Sequence, residues 1–275
     1  MARKAERPEP AKELFENVFV GFEPEAVLRT ISQGLIAFLE NATRLMEDMM
    51  VLMKEERFPT AKFLLTTTNE EMAKTYILLD ACRLDLSRHT STLRRLCWAF
   101  YDHIAKYAYN EIINRSDIIR DMQQIKVFWE AETTKWWPSS GPESGEPDMP
   151  HETYFSREMP LYVDFIEYDQ KWHKPENVIT GISLSLEKMR LKDTNEGLER
   201  LRQTFESGLY NPESLIILNN NFKKHYITEK TSSEEIQRLY VKTAQQVEQK
   251  LSIKKEMFFE SALHEWPLYY FTTLD

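Results

Sequence analysis

The stretch LRTISQGLIAFLENATRLMEDMMVL, residues 28–52, decides the fold class. Leu28, Ile31, Leu35, Phe38, Ala42, Leu45, Met49 and Leu52 recur at alternating spacings of three and four. That period places them on one stripe of an α-helix and on no single face of a strand. It predicts a helix from Glu25 to about Glu55, with Met46, Met49, Met50 and Met53 as core filler. An apolar stripe of this length needs other helices to cover it. Pro59 suits the first turn of a second helix, where its missing N–H would be unpaired anyway, and that helix runs to about Leu86. Ser87-Arg88-His89-Thr90-Ser91 is a polar break, after which a third helix is predicted from roughly Thr92 to Asn114. Ser116 or Asp117 caps a fourth, from about Ile118 to Lys135, and Trp136-Trp137-Pro138 ends it. Helices of this length joined by short links predict a mainly α protein built on an antiparallel four-helix bundle within residues 1–137.

Outward from the bundle, residues 138–152 hold four prolines and two glycines in fifteen positions and read as a loop or linker. Residues 153–275 form an aromatic-rich, mostly helical extension. A hairpin is predicted within Leu161–Tyr168, and helices at about 193–207, 212–226, 231–252 and 256–264. Pro212 fits a first-turn position, and Ser232-Ser233-Glu234-Glu235 resembles a helix start. The tail Leu268-Tyr269-Tyr270-Phe271 is expected to pack back on the body.

Composition removes several function classes. With 42% hydrophobic residues, 275 positions suffice for a substantial core. Seven glycines are too few for glycine-rich phosphate cradles, and neither dinucleotide nor P-loop spacing occurs. No metal-binding H-E-x-x-H or C-x-x-C and no G-x-S-x-G is present, so no cofactor or metal is expected. A net charge of −9 gives no bulk basic footprint for nucleic acid, which leaves only a local groove for that purpose. The charged N-terminus lacks a secretory core, so Cys82 and Cys97 read as reduced thiols of a cytoplasmic protein. No apolar run approaches the roughly 20 residues of a membrane helix.

Two constellations carry chemistry. On the second helix, Glu70 and Glu71 lie four and three residues before Lys74, so either carboxylate can meet it, and Asn41 in the first helix's stripe can join the pair. On the third, His103 and Lys106 share a face with Phe100, Tyr107 and Asn110, and can converge on one anion. Arg94 and Arg95 lie two to three turns earlier. Each group has two readings: a polar network that fixes bundle register, or a site in which histidine moves protons and cations steady phosphate. Trp129, Trp136 and Trp137 read as a helix-end aromatic cluster in preference to a base-stacking platform.

Asn41-Ala42-x2-Leu45, Phe58-Pro59-x-Ala61, Glu70-Glu71-x2-Lys74, Leu78-Leu79-Asp80-Ala81 and Phe100-Tyr101-Asp102-His103-Ile104-Ala105-Lys106 occur in this order. The set, over roughly residues 30–115, resembles the AbiV-type abortive infection proteins of the HEPN superfamily. That resemblance implies a four-helix core, often paired into a homodimer, and a role in halting phage propagation by acting on RNA or a ribosome or translation component. Many HEPN proteins are metal-independent ribonucleases with an R-x4-6-H motif. The one match here, Arg83-x5-His89, falls at the end of the second helix, and Arg95 lies eight residues before His103, outside the motif's spacing. The resulting expectation for a nuclease is His103 as general acid–base, Lys106 and Arg95 on phosphate, and Glu71 and Lys74 orienting the site. The alternative is a non-enzymatic helical module that binds a phage or host protein.

Overall fold

The computed structural model describes residues 9–114, 122–133, 164–166, 171–173, 181–225 and 231–251. Its elements are α1 (Glu9–Val18), α2 (Pro24–Lys54), α3 (Phe58–Arg83), α4 (Thr90–Tyr101), α5 (His103–Asn114), α6 (Met122–Thr133), β1 (Asp164–Ile166), β2 (Lys171–His173), α7 (Gly181–Glu206), α8 (Pro212–Phe222) and α9 (Ser233–Leu251). The architecture is mainly α, as predicted. The stripe on α2 lies inward: Leu28, Ile31, Leu35, Ala42, Leu45 and Met49 are buried, with Phe38 and Leu52 packed at the edge of the core. Met50, read as core filler, is 41% exposed; it stands one residue off the stripe.

The link between α2 and α3 is only Glu55–Arg57, which forces the two helices to turn back on each other. Asn41 meets Glu71, and Gly34 faces Leu78, so seven steps back along α2 are matched by seven steps forward along α3. The pair is antiparallel and close. A Cβ at Gly34 would lie 3.1 Å from Leu78 Cδ1, which is why the helix tolerates a residue with poor helical propensity there.

From Glu70 to Arg83, α3 is buried all round, with Lys74 alone partly exposed. It is the central helix, packed by α2, α4, α5, α7 and α8. Every polar group in that stretch therefore needs a partner inside the protein. The α8 side chain Asn219 donates to the Cys82 and Leu84 carbonyls at 2.9 and 2.8 Å, and so closes the end of α3, where main-chain acceptors lack helical donors. Ser32 of α2 donates to the Tyr210 carbonyl at 2.5 Å. Helices α7, α8 and α9 thus share one apolar cluster with the bundle helices.

Three sequence expectations change. The predicted helix from Thr92 to Asn114 is broken at Asp102, whose backbone is extended (φ −85°, ψ 124°) and whose Oδ1 accepts from the Ala105 N–H at 2.8 Å. The hairpin pairs Phe165 with Trp172 in antiparallel register, so its second strand lies beyond the predicted range. Helix α7 begins at Gly181, about three turns before the predicted start. Pro212 does open α8, and Ser232 Oγ accepts from the Glu235 N–H at 3.2 Å at the start of α9. The fourth bundle helix is seen as α6, and Trp129 packs into the core edge-on to Tyr109 (centroids 5.9 Å apart). The linker at 138–152, the helix at 256–264, Trp136, Trp137 and the aromatic tail lie outside the described residues.

Candidate functional site

Glu70 and Glu71 are neighbours on α3, so their side chains leave the helix about 100° apart. The sequence allows either to meet Lys74, and the fold separates them. Glu71 turns toward α2: its Oε1 lies 2.5 Å from Lys74 Nζ, and its Oε2 accepts from Asn41 Nδ2 at 3.0 Å. Asn41 Oδ1 accepts in turn from Arg44 at 2.8 Å. The Lys74 ammonium is also held over the Phe38 and Phe100 rings, 5.2 and 5.5 Å from their centroids, an arrangement that suits a desolvated cation.

Glu70 turns toward α5. Its Oε1 is 2.8 Å from His103 Nδ1, and its Oε2 accepts from Lys106 Nζ at 2.8 Å. The imidazole and ammonium do converge on one anion, a carboxylate of the protein itself. Burial alone would raise the Glu70 pKa. The His103 hydrogen bond and the Lys106 charge outweigh it and hold the carboxyl down at about 2. An ionised Glu70 calls for a proton on Nδ1, so Nε2 is the ring nitrogen that can exchange a proton with a reactant. The His103 side chain is 25% exposed and that of Lys106 only 5%. The histidine can therefore meet a reactant, whereas the lysine is spent on Glu70.

The break at Asp102 sets this geometry. It ends α4 and makes His103 the first residue of α5, with Lys106 one turn further along the same face. Asp102→Ala removes a helix cap, a loss of about 1 kcal/mol. The melting temperature should fall by roughly 2–4 °C, and Asp102→Ser should restore it. A melt unchanged in the alanine variant would show that the cap contributes nothing.

Of the residues singled out in the sequence, His103, Lys106 and Lys74 are brought to the adjacent α3 carboxylates Glu70 and Glu71. Arg95 lies in α4, partly buried, and enters none of the four bonds to those carboxylates given above. Arg83 of the R-x5-H match has no exposed side-chain surface; it pairs with Asp80 at 3.0 Å and lies against the Phe222 and Tyr240 rings, 5.7 and 5.5 Å from their centroids. His89 sits before α4, where its Nδ1 accepts from the Asp85 N–H at 3.1 Å. A guanidinium sealed in the core cannot steady a substrate phosphate, so this match is structural.

Sequence reasoning undervalued Glu70, the centre of the group. It missed Asp102 as a cap, although an Asp three residues before an amide inside a helical pattern is a start signal. The sequence model of the HEPN AbiV family matches residues 30–184, a span that contains Asn41, both carboxylates, Lys74, His103 and Lys106. No curated protein and no solved structure matches the chain. A match over more than half the length, with the helical fold to go with it, shows that this chain belongs to the AbiV family of HEPN proteins.

Proposed function

We propose that the chain is a phage-defence protein of the abortive infection type, acting on RNA as a metal-independent endoribonuclease in the cytoplasm and as a homodimer. Family membership supports the defence role. The chemistry rests on one observation: a partly exposed His103 bonded through Nδ1 to an ionised, buried Glu70 at 2.8 Å. In this reading Nε2 takes the proton of a ribose 2′-hydroxyl as its oxygen attacks the adjacent phosphorus. The same nitrogen then gives the proton to the leaving 5′-oxygen, yielding a cyclic phosphate and a free hydroxyl. Glu70 steadies the imidazolium between the two transfers. Lys106 keeps Glu70 ionised and in place, Glu71 and Lys74 hold α3 against α2, and Arg95 supplies phosphate contact.

The test is incubation of the purified protein with total RNA and with tRNA, with and without EDTA, beside His103→Ala. Cleavage that persists in EDTA and falls at least about 100-fold in the variant is the expected result. The variant should stay folded, because Glu70 keeps its bond to Lys106. Equal cleavage by the variant would remove His103 from the chemistry.

A second reading has its own observation. Both lysines of the site are committed to carboxylates, and the motif arginine is buried. This favours a helical module that binds a phage or host protein without catalysis. It predicts that His103→Ala protects cells as well as wild type and that neither cleaves RNA.

A further inference from the structure

Asn69 directly precedes Glu70, and three helices meet there. Its main-chain carbonyl accepts from Asn110 Nδ2 of α5, and its side-chain Oδ1 lies 3.0 Å from Thr194 Oγ1 of α7. Thr194 is also 2.8 Å from the Arg190 carbonyl, so its one proton is shared between two acceptors. Thr194 and Asn110 are 1% and 5% exposed. Apolar side chains of similar size would fill these positions with no polar group to satisfy. Buried amides and hydroxyls have another use: they accept only one register between helices, because any slip leaves them unpaired.

Asn110 continues the face of α5 that carries His103 and Lys106, one turn beyond Lys106. A shift of α5 along α3 would therefore break Asn110–Asn69 and His103–Glu70 together. Thr194 ties the same point to α7, ten residues past the end of the family match.

We infer that Thr194, through Asn69 and Asn110, is a positioning residue for the His103–Glu70 pair, and that α7 is part of the site's framework. The inference rests on the His103 reading above, and its test separates the two. Thr194→Val removes the hydroxyl at nearly constant volume, and Thr194→Ser keeps it. Two measurements are made on the full chain: turnover of RNA, and the NMR signal of the hydrogen-bonded His103 Nδ1 proton, assigned by its loss in His103→Gln. The valine variant should lose about 10-fold in kcat with KM unchanged, as displaced reacting groups do. Its Nδ1 proton signal should move or broaden, and serine should restore both. Wild-type kcat and an unmoved signal in Thr194→Val would overturn the inference. If wild type cleaves no RNA, the nuclease reading fails while the proton signal still decides the role of Thr194. Should the valine variant not fold, Asn69→Ala opens the same bond from the other side and keeps the main-chain carbonyl. An unmoved signal there counts against the inference equally.

Discussion

Glu70→Ala should lower stability by about 3–5 kcal/mol, the range expected when one partner of a buried ion pair is removed. Lys106 loses this carboxylate: 5% of its side chain is exposed and its ammonium sits on Glu70 Oε2. Glu70→Gln should cost less, since the amide keeps the volume and one acceptor. The same carboxylate sets an acid limb. Its folded pKa of about 2 lies below the ordinary 4.5, so its stabilising contribution is present above pH 4.5 and is lost as pH falls from there toward 2. That displacement is worth roughly 3 kcal/mol at neutral pH. Denaturant melts of wild type and Glu70→Gln across this window should converge at the acid end. Parallel curves at every pH would mean that Glu70 is not the group being titrated.

The second large effect lies at the far end of α3. Asp80 bonds Arg83 at 3.0 Å and accepts from Tyr109 of α5 at 2.8 Å, with Phe222 and Tyr240 closing over the guanidinium. Removing either partner is harmful, but unequally. Asp80→Ala leaves a buried guanidinium that cannot shed its proton, and should cost about 3–5 kcal/mol. Arg83→Met leaves a carboxyl that burial already pushes up to about 7, against the pull of Arg83 and Tyr109. It can take up a proton and stay bonded to Tyr109, so the loss should be about 1–3 kcal/mol. The sign of the pH effect is opposite to that of Glu70. A folded pKa above the ordinary 3.8 gives a contribution that is complete below that value and is lost as pH rises toward the folded pKa. Arg83→Met, without its counter-charge, should lose stability over a wider span of rising pH than wild type. If the arginine variant proves the less stable of the two at neutral pH, this assignment of charge states is wrong.

Particular residues show how far the sequence could be read. The α2 stripe, the openings at Pro59 and Pro212 and the cap at Ser232 were legible because each depends on neighbours within four positions. The split of α4 from α5 was open to local reading at Asp102, whose short carboxylate side chain can cap a helix start. Lys74 had two carboxylates within reach, and spacing along the helix could not choose between them. Position on the helix cylinder did choose: Glu71 faces Asn41 of α2, and Glu70 faces α5. The same holds for Arg83, which fits a catalytic spacing in one dimension and is walled in by α8 and α9 in three.

The sequence by itself determined the helical class, most helix starts and the family, since periodicity, capping and motif order are properties of short range along the chain. Tertiary structure alone decided that His103 and Lys106 share Glu70, that the motif arginine is buried, and that Thr194 reaches Asn69 across 125 residues. Those outcomes depend on which faces of α3 its neighbours cover. That is settled when the helices pack and each buried charge or amide accepts the one register that satisfies it.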